Sequence, residues 1–122
     1  MAKVLIVEDD NFLQGLEASK LKKNNYEIAT ASTGEEGLQK IHEPGVDLIL
    51  LDITLPQFDG FDILKAIRET EALKTIPVIV FSNLSEDKDI KKAKELGATD
   101  FMVKSNFTLE ELMDRINKIL KK

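Results

Sequence analysis

Leu48-Ile49-Leu50-Leu51-Asp52 is the stretch that decides the fold. Four consecutive apolar residues, all branched, read as a strand buried on both faces, which a parallel sheet covered by helices requires. Val4-Leu5-Ile6-Val7 repeats the pattern and runs directly into Glu8-Asp9-Asp10. In such sheets ligands bind beyond the carboxyl ends of the strands, where the strand order reverses. Two buried strands that each end in acid therefore predict one acidic pocket.

Outward from these runs, apolar strand-like segments alternate with longer segments of helical period. Strands are predicted over Lys3–Val7, Tyr26–Ala31, Asp47–Leu51, Pro77–Phe81 and Asp100–Val103. Between them, Asn11–Asn24 spaces Leu13, Leu16 and Leu21 as a helix does, and Glu35–His42 does the same with Leu38 and Ile41. Phe61–Glu69, Glu86–Leu96 and Leu109–Leu120 complete a set of five helices. Ser32 with Glu35, and Thr108 with Glu111, have capping-box spacing. Ser85 before Glu86 and Asp87 reads as a further cap, and Pro44-Gly45 and Leu96-Gly97 mark helix ends. Five β-α alternations with short connections imply a doubly wound α/β domain with right-handed crossovers, spanning residues 1–122 without a linker.

Composition narrows the function. The 122 residues are 43% hydrophobic and 32% charged, ordinary for a soluble globular domain. A net charge of −5 argues against direct nucleic-acid binding, which needs a basic face. With no cysteine there is no disulfide framework and no thiolate metal site, which fits a cytoplasmic protein. The apolar span before Glu8 is too short for a signal peptide or a membrane span. His42, the single histidine, has no partner motif nearby and reads as a surface residue.

In a five-stranded sheet of order 2-1-3-4-5, the first and third strands flank the switch point. Asp9 and Asp52 then face one another there, with Ser82 after the fourth strand and Lys104 after the fifth alongside. Two carboxylates about 4 Å apart repel by roughly 4 kcal/mol at an effective dielectric near 20. Such a pocket holds a proton, pairs with Lys104, or binds a hard cation. Oxygen ligands without His or Cys favour Mg²⁺. An aspartate beside Mg²⁺ can act as a nucleophile toward phosphorus, with a lysine and a hydroxyl on the phosphoryl oxygens.

Val7-Glu8-Asp9-Asp10, Asp52 with Leu55-Pro56 and Asp59-Gly60, Phe81-Ser82 and Val103-Lys104 together resemble the receiver domain of two-component response regulators. The likeness covers essentially the whole chain and implies the flavodoxin-like version of this sheet. It implies Asp52 as phosphoacceptor, Asp9 as direct Mg²⁺ ligand, Glu8 acting through water, and the Thr54 carbonyl as a further ligand. It also implies Lys104 as the phosphate-binding lysine, Ser82 as switch hydroxyl and Phe101 as the aromatic switch. The implied partners are a sensor histidine kinase or phosphotransfer protein upstream and a protein target downstream, with no catalysis beyond the domain's own phosphorylation and dephosphorylation. Three positions depart from the usual pattern: Asn83 follows the switch hydroxyl, Ser105 stands where proline is usual, and Phe101 carries no hydroxyl. Before Ser105 the expectation is either a strained cis bond or an altered loop.

Rival readings are weaker. Glu8-Asp9-Asp10 taken alone suits a helix N-terminus. A haloacid-dehalogenase-type phosphatase needs an acid two residues after its nucleophile, where this chain has Thr54. A nucleotide- or flavin-binding protein needs a glycine- or hydroxyl-rich loop after the first strand, where this chain has three acids. A receiver that no longer phosphorylates and serves only as a binding module is the main alternative. If the sequence is whole, a stand-alone receiver acts by binding another protein or by relaying phosphate.

Overall fold

The structure is a computed structural model describing residues 1–121. Its core is a parallel sheet of five strands: β1 (Lys3–Val7), β2 (Glu27–Ala31), β3 (Val46–Leu51), β6 (Val78–Ser82) and β7 (Asp100–Val103). Two short elements intervene, β4 (Thr54–Leu55) and β5 (Phe58–Asp59), which pair antiparallel as a ribbon. The sheet order is β2-β1-β3-β6-β7, the predicted 2-1-3-4-5 once the ribbon is set aside. The helices are α1 (Asn11–Lys23), α2 (Gly34–Lys40), α3 (Gly60–Glu69), α4 (Asp87–Glu95) and α5 (Leu109–Ile119).

Side chains alternate across the strands, so each run of four apolar residues supplies both layers. Leu5, Val7, Ile49, Leu51, Val78 and Val80 pack with α2, α3 and α4. Val4, Ile6, Leu48, Leu50, Ile79 and Phe81 pack with α1 and α5. All twelve are nearly inaccessible to solvent. This two-sided burial is why the strands read as unbroken apolar runs.

Local departures from the predicted elements are small and have physical reasons. Tyr26 donates its N–H to Leu21 O and so belongs to the end of α1, with β2 starting at Glu27. The cap of α2 is Thr33, whose hydroxyl accepts from Glu36 N at 3.1 Å, not Ser32. Ser32 sits one residue earlier and donates its N–H to the Glu36 side chain. Ser85 is exposed and does not cap α4; Glu86 holds the cap position without a side-chain hydrogen bond. The Thr108–Glu111 capping box of α5 is complete in both directions.

The ribbon was not predicted. It folds back through Pro56 and Gln57, with Gln57 in the left-handed region at φ 56°. Gly60 starts α3 where a Cβ would lie 2.3 Å from Ile53 Cα, so only glycine lets the ribbon close against the strand end. Lys104–Asn106 forms one turn of 3₁₀ helix, and no cis peptide bond occurs among the described residues. Of the two expectations for Ser105, the altered loop is the one that forms.

Candidate phosphoryl-acceptor site

The polar strand ends meet at the carboxyl edge of the sheet. Asp52 N donates to Val7 O at 3.0 Å, carrying the β1–β3 pairing one residue beyond the strand and fixing Asp52 in the crevice. On the other side, Glu8 N donates to Ala31 O at 3.0 Å. Gln14 on α1 donates its amide to Glu8 O, Ala31 O and Ser32 Oγ, tying the helix to the ends of β1 and β2. Asp10 leaves the pocket: its carboxylate caps α1 by accepting from Leu13 N at 3.1 Å. Of the three consecutive acids, one therefore does the capping that a plain helix-start reading assigned to them all.

Asp52 is 4% exposed, and both of its carboxylate oxygens are engaged. Oδ1 accepts from Thr54 N at 2.9 Å and from the Thr54 hydroxyl at 2.7 Å. Oδ2 accepts from Lys104 Nζ at 2.7 Å, and the same ammonium lies 2.7 Å from Glu8 Oε1. Burial alone raises the Asp52 carboxyl, but the Lys104 and Thr54 hydrogen bonds outweigh it and hold the group below the ordinary aspartate range. Glu8, with fewer donors, is pushed by burial up to about 7 against the pull of Lys104 and Asp10 N. Burial lowers Lys104, yet its two carboxylate partners prevail and raise it. A lysine clamped between two acids stays charged.

Ser82 is buried at the end of β6, with its hydroxyl 3.3 Å from the Thr54 hydroxyl. A chain of polar groups thus runs from Ser82 through Thr54 to Asp52. Phe101 is half-buried on β7 and packs against the layer of α2, α3 and α4. Its neighbour Met102 points to the opposite layer and is fully buried. Asn83 and His42 are exposed. Sequence reasoning placed the polar strand ends together but passed over two residues near them. One is Gln14, described above. The other is Glu17, which is 1% exposed on the inner face of α1.

The donor set suits a hard cation. Glu8, Asp9 and Asp52 each present a carboxylate oxygen, all within 4.8 Å of one another, with no nitrogen or sulfur ligand among them. Asp9 also lines a cleft of about 340 Å³ with the β2–α2 loop and the ribbon, which gives the pocket an open side.

Comparison with known proteins gives the same family at every level. Residues 4–117 match the response regulator receiver domain. Response regulator ArlR of Staphylococcus saprophyticus is 36% identical over 122 residues, covering 100% of this chain and 54% of its own length. Transcriptional regulatory protein AfsQ1 of Streptomyces coelicolor is 36% identical over 85% of this chain and 45% of its own length. The chain thus spans about half the length of such relatives. Among solved structures, a two-component response regulator from Clostridium difficile superposes with a TM-score of 0.90 at 30% identity, covering 100% of this chain and 98% of that one. Chemotaxis protein CheY4 of Vibrio cholerae gives a TM-score of 0.89 at 30% identity, over 97% and 98% of the two chains. No helix among the described residues is long and apolar enough to cross a membrane.

Proposed function

The chain belongs to the response regulator receiver domain family, and on that premise we propose that it is a phosphorylation-controlled switch whose acceptor is Asp52. One observation carries the reading: a buried aspartate, held in one orientation by Lys104 and Thr54, beside two further carboxylates within metal-sharing distance. An Asp52 oxygen forms the new bond to phosphorus while the donor's bond to phosphorus breaks and its leaving group departs with the electron pair. Thr54, through two hydrogen bonds, holds Oδ1 in place, so Oδ2 is the oxygen that attacks once Lys104 shifts from it. Lys104, already 2.7 Å from Oδ2, moves its ammonium onto an oxygen of the arriving phosphoryl group.

Glu8, Asp9, Asp52 and the Thr54 carbonyl would hold Mg²⁺, which when bound offsets the charge of the phosphoryl oxygens. Ser82 then donates its hydroxyl to a phosphoryl oxygen. Movement of Ser82 toward Asp52 opens space for Phe101 to turn inward, and the surface of α4, β7 and α5 changes. A sensor kinase or phosphotransfer protein upstream and a protein target downstream complete the circuit in the cytoplasm. The switch works by shifting a two-state equilibrium, so its output is a changed surface and not a released product.

The test is intact mass after incubation with acetyl phosphate, with and without Mg²⁺, for the wild type and Asp52→Asn. One added phosphoryl group that needs both Mg²⁺ and Asp52 is the expected result. If no adduct forms, and beryllofluoride with Mg²⁺ also leaves the spectrum of the wild type unchanged, the binding-module alternative replaces this reading.

A further inference from the structure

Arg68, in the last turn of α3, donates only to backbone carbonyls among the described residues. Nε and Nη2 donate to Gly97 O at 3.0 and 2.7 Å, and Nη1 donates to Ile76 O at 2.7 Å and Lys74 O at 3.2 Å. Gly97 follows α4 and Ile76 precedes β6, so one guanidinium ties two loops at the edge of the sheet opposite the acidic pocket. Its planar fork can bridge two carbonyls in a fixed geometry, which an ammonium cannot. Gly97 has φ 101°, and a Cβ there would lie 2.7 Å from Arg68 Nε, so glycine both turns the chain and admits the guanidinium.

The two ends of α4 are held very differently. At the C-terminal end, Gly97 N donates to Lys94 O and Ala98 N to Ala93 O, which closes the helix in a Schellman turn. Ala93, in the last turn, is the fully buried residue of α4. Just beyond, Thr99 N donates to Val78 O at 2.8 Å, and Val78 N donates to the Thr99 hydroxyl at 3.0 Å. At the N-terminal end, Glu86 holds the cap position without a side-chain hydrogen bond, and Asn83, Ser85, Asp87 and Lys88 are exposed. That end follows closely on Ser82, whose Oγ accepts from Leu84 N at 3.4 Å. A serine hydroxyl that turns to a phosphoryl oxygen takes that acceptor away from Leu84.

We propose that α4 works as a lever pivoted at Gly97, and that Arg68 is the positioning residue that holds the pivot. Displacement of Ser82 swings the N-terminal turn of α4 while the Schellman turn stays in place. The inference rests on the switch reading above and adds to it the fixed point about which the switch moves.

The test is hydrogen exchange read by NMR on the full chain, with and without beryllofluoride and Mg²⁺, for wild type, Arg68→Met and Arg68→Lys. The reporting amides are Asp89 and Ile90, which donate to Glu86 O at one end, and Gly97 and Ala98 at the other. In the wild type, beryllofluoride should change exchange at Asp89 and Ile90 by about fivefold or more, and at Gly97 and Ala98 by less than about twofold. In Arg68→Met, Gly97 and Ala98 should exchange about tenfold faster before beryllofluoride is added, and the response should spread to them. Arg68→Lys, whose ammonium reaches one loop but not both, should show the same spread in weaker form and decides the matter if the Met variant does not fold. An arginine that only staples the fold would speed exchange alike in both states and leave the response at the N-terminal end; that result overturns the inference. A wild-type response as large at Gly97 and Ala98 as at Asp89 and Ile90 would overturn the pivot and leave the switch reading intact. A wild type in which beryllofluoride moves no amide would overturn both.

Discussion

α1 and α5 lie side by side on one face of the sheet and solve the same packing problem in opposite ways. α5 buries Leu112, Met113 and Ile116 at helical spacing, and a complete capping box holds its N-terminus. α1 buries Leu21 and an acid, Glu17, while Phe12 at 78% and Leu16 at 41% exposure face solvent. The two are joined by Lys20 with Glu110 and by the Tyr26 hydroxyl with Asn117. The difference follows from what each helix adjoins. The first turn of α1 sits over the acidic pocket, where Asp10 and Gln14 do polar work, and the inner face behind it carries the same polarity. α5 begins beyond the pocket and is free to be an ordinary amphipathic helix.

The largest expected effect removes packing from the ordinary helix. Leu112→Ala takes a fully buried side chain out of the α5 layer and should cost about 2–5 kcal/mol, read from urea unfolding. A loss of under about 1 kcal/mol would mean that α5 is loosely seated and that the contrast with α1 is false.

Glu17→Leu should act in the opposite direction. In metal-free buffer near neutral pH it should stabilise the protein by about 2–3 kcal/mol, since it replaces an unpartnered buried carboxyl with an apolar side chain of similar length. The pH dependence fixes the cause. The folded state holds the Glu17 proton up to about 8, whereas the unfolded chain releases it near 4.5. Below the lower value both states are protonated and the group adds no penalty. As pH rises between the two values only the unfolded state loses its proton, so stability falls, by at most about 1.4 kcal/mol per pH unit. Above the upper value the penalty is complete. The gap between variant and wild type should therefore widen from pH 5 to pH 8. A constant gap would mean that Glu17 is ionised, and so paired, throughout.

The same contrast shows what the sequence made legible. Leu48–Leu51 and Val4–Val7 announced the sheet because burial on both faces leaves no polar residue to interrupt them. Asp52, Glu8, Ser82 and Lys104 were legible because each ends such a run, and topology alone then brings them together. Glu17 was missed because helical period was judged on apolar residues only, which selected Leu13, Leu16 and Leu21. The same period passes through position 17, and an acid spaced four residues from leucine on either side was the available signal. The α2 cap was misplaced because Ser32–Glu35 and Thr33–Glu36 have identical spacing, so only the backbone geometry separates them. The ribbon of β4 and β5 was invisible because two-residue strands carry no periodicity.

A smaller effect tests the capped end of α5. Thr108→Ala removes one half of the box and leaves Glu111 N without its acceptor, which should cost about 1 kcal/mol in urea unfolding. Ser85→Ala is its control. Ser85 is exposed and makes no cap to α4, so the change should stay within about 0.5 kcal/mol. Equal losses from the two would mean that the cap at α5 contributes nothing beyond propensity.

The smallest expected effect belongs to the outer face of α1. Leucine at position 16 satisfies the helical pattern as well as Leu21 does, yet the two should respond very differently. Leu21 is fully buried beside Tyr26, whereas Leu16 already has much of its surface in water. Truncating Leu16 to alanine gives up little burial and gains slightly in helix propensity, so the net change should be within about 0.5 kcal/mol. A loss above about 2 kcal/mol would place Leu16 in the core and rotate α1. That rotation would carry Glu17 away from the sheet, and the acid would then be a solvated surface charge with nothing to explain.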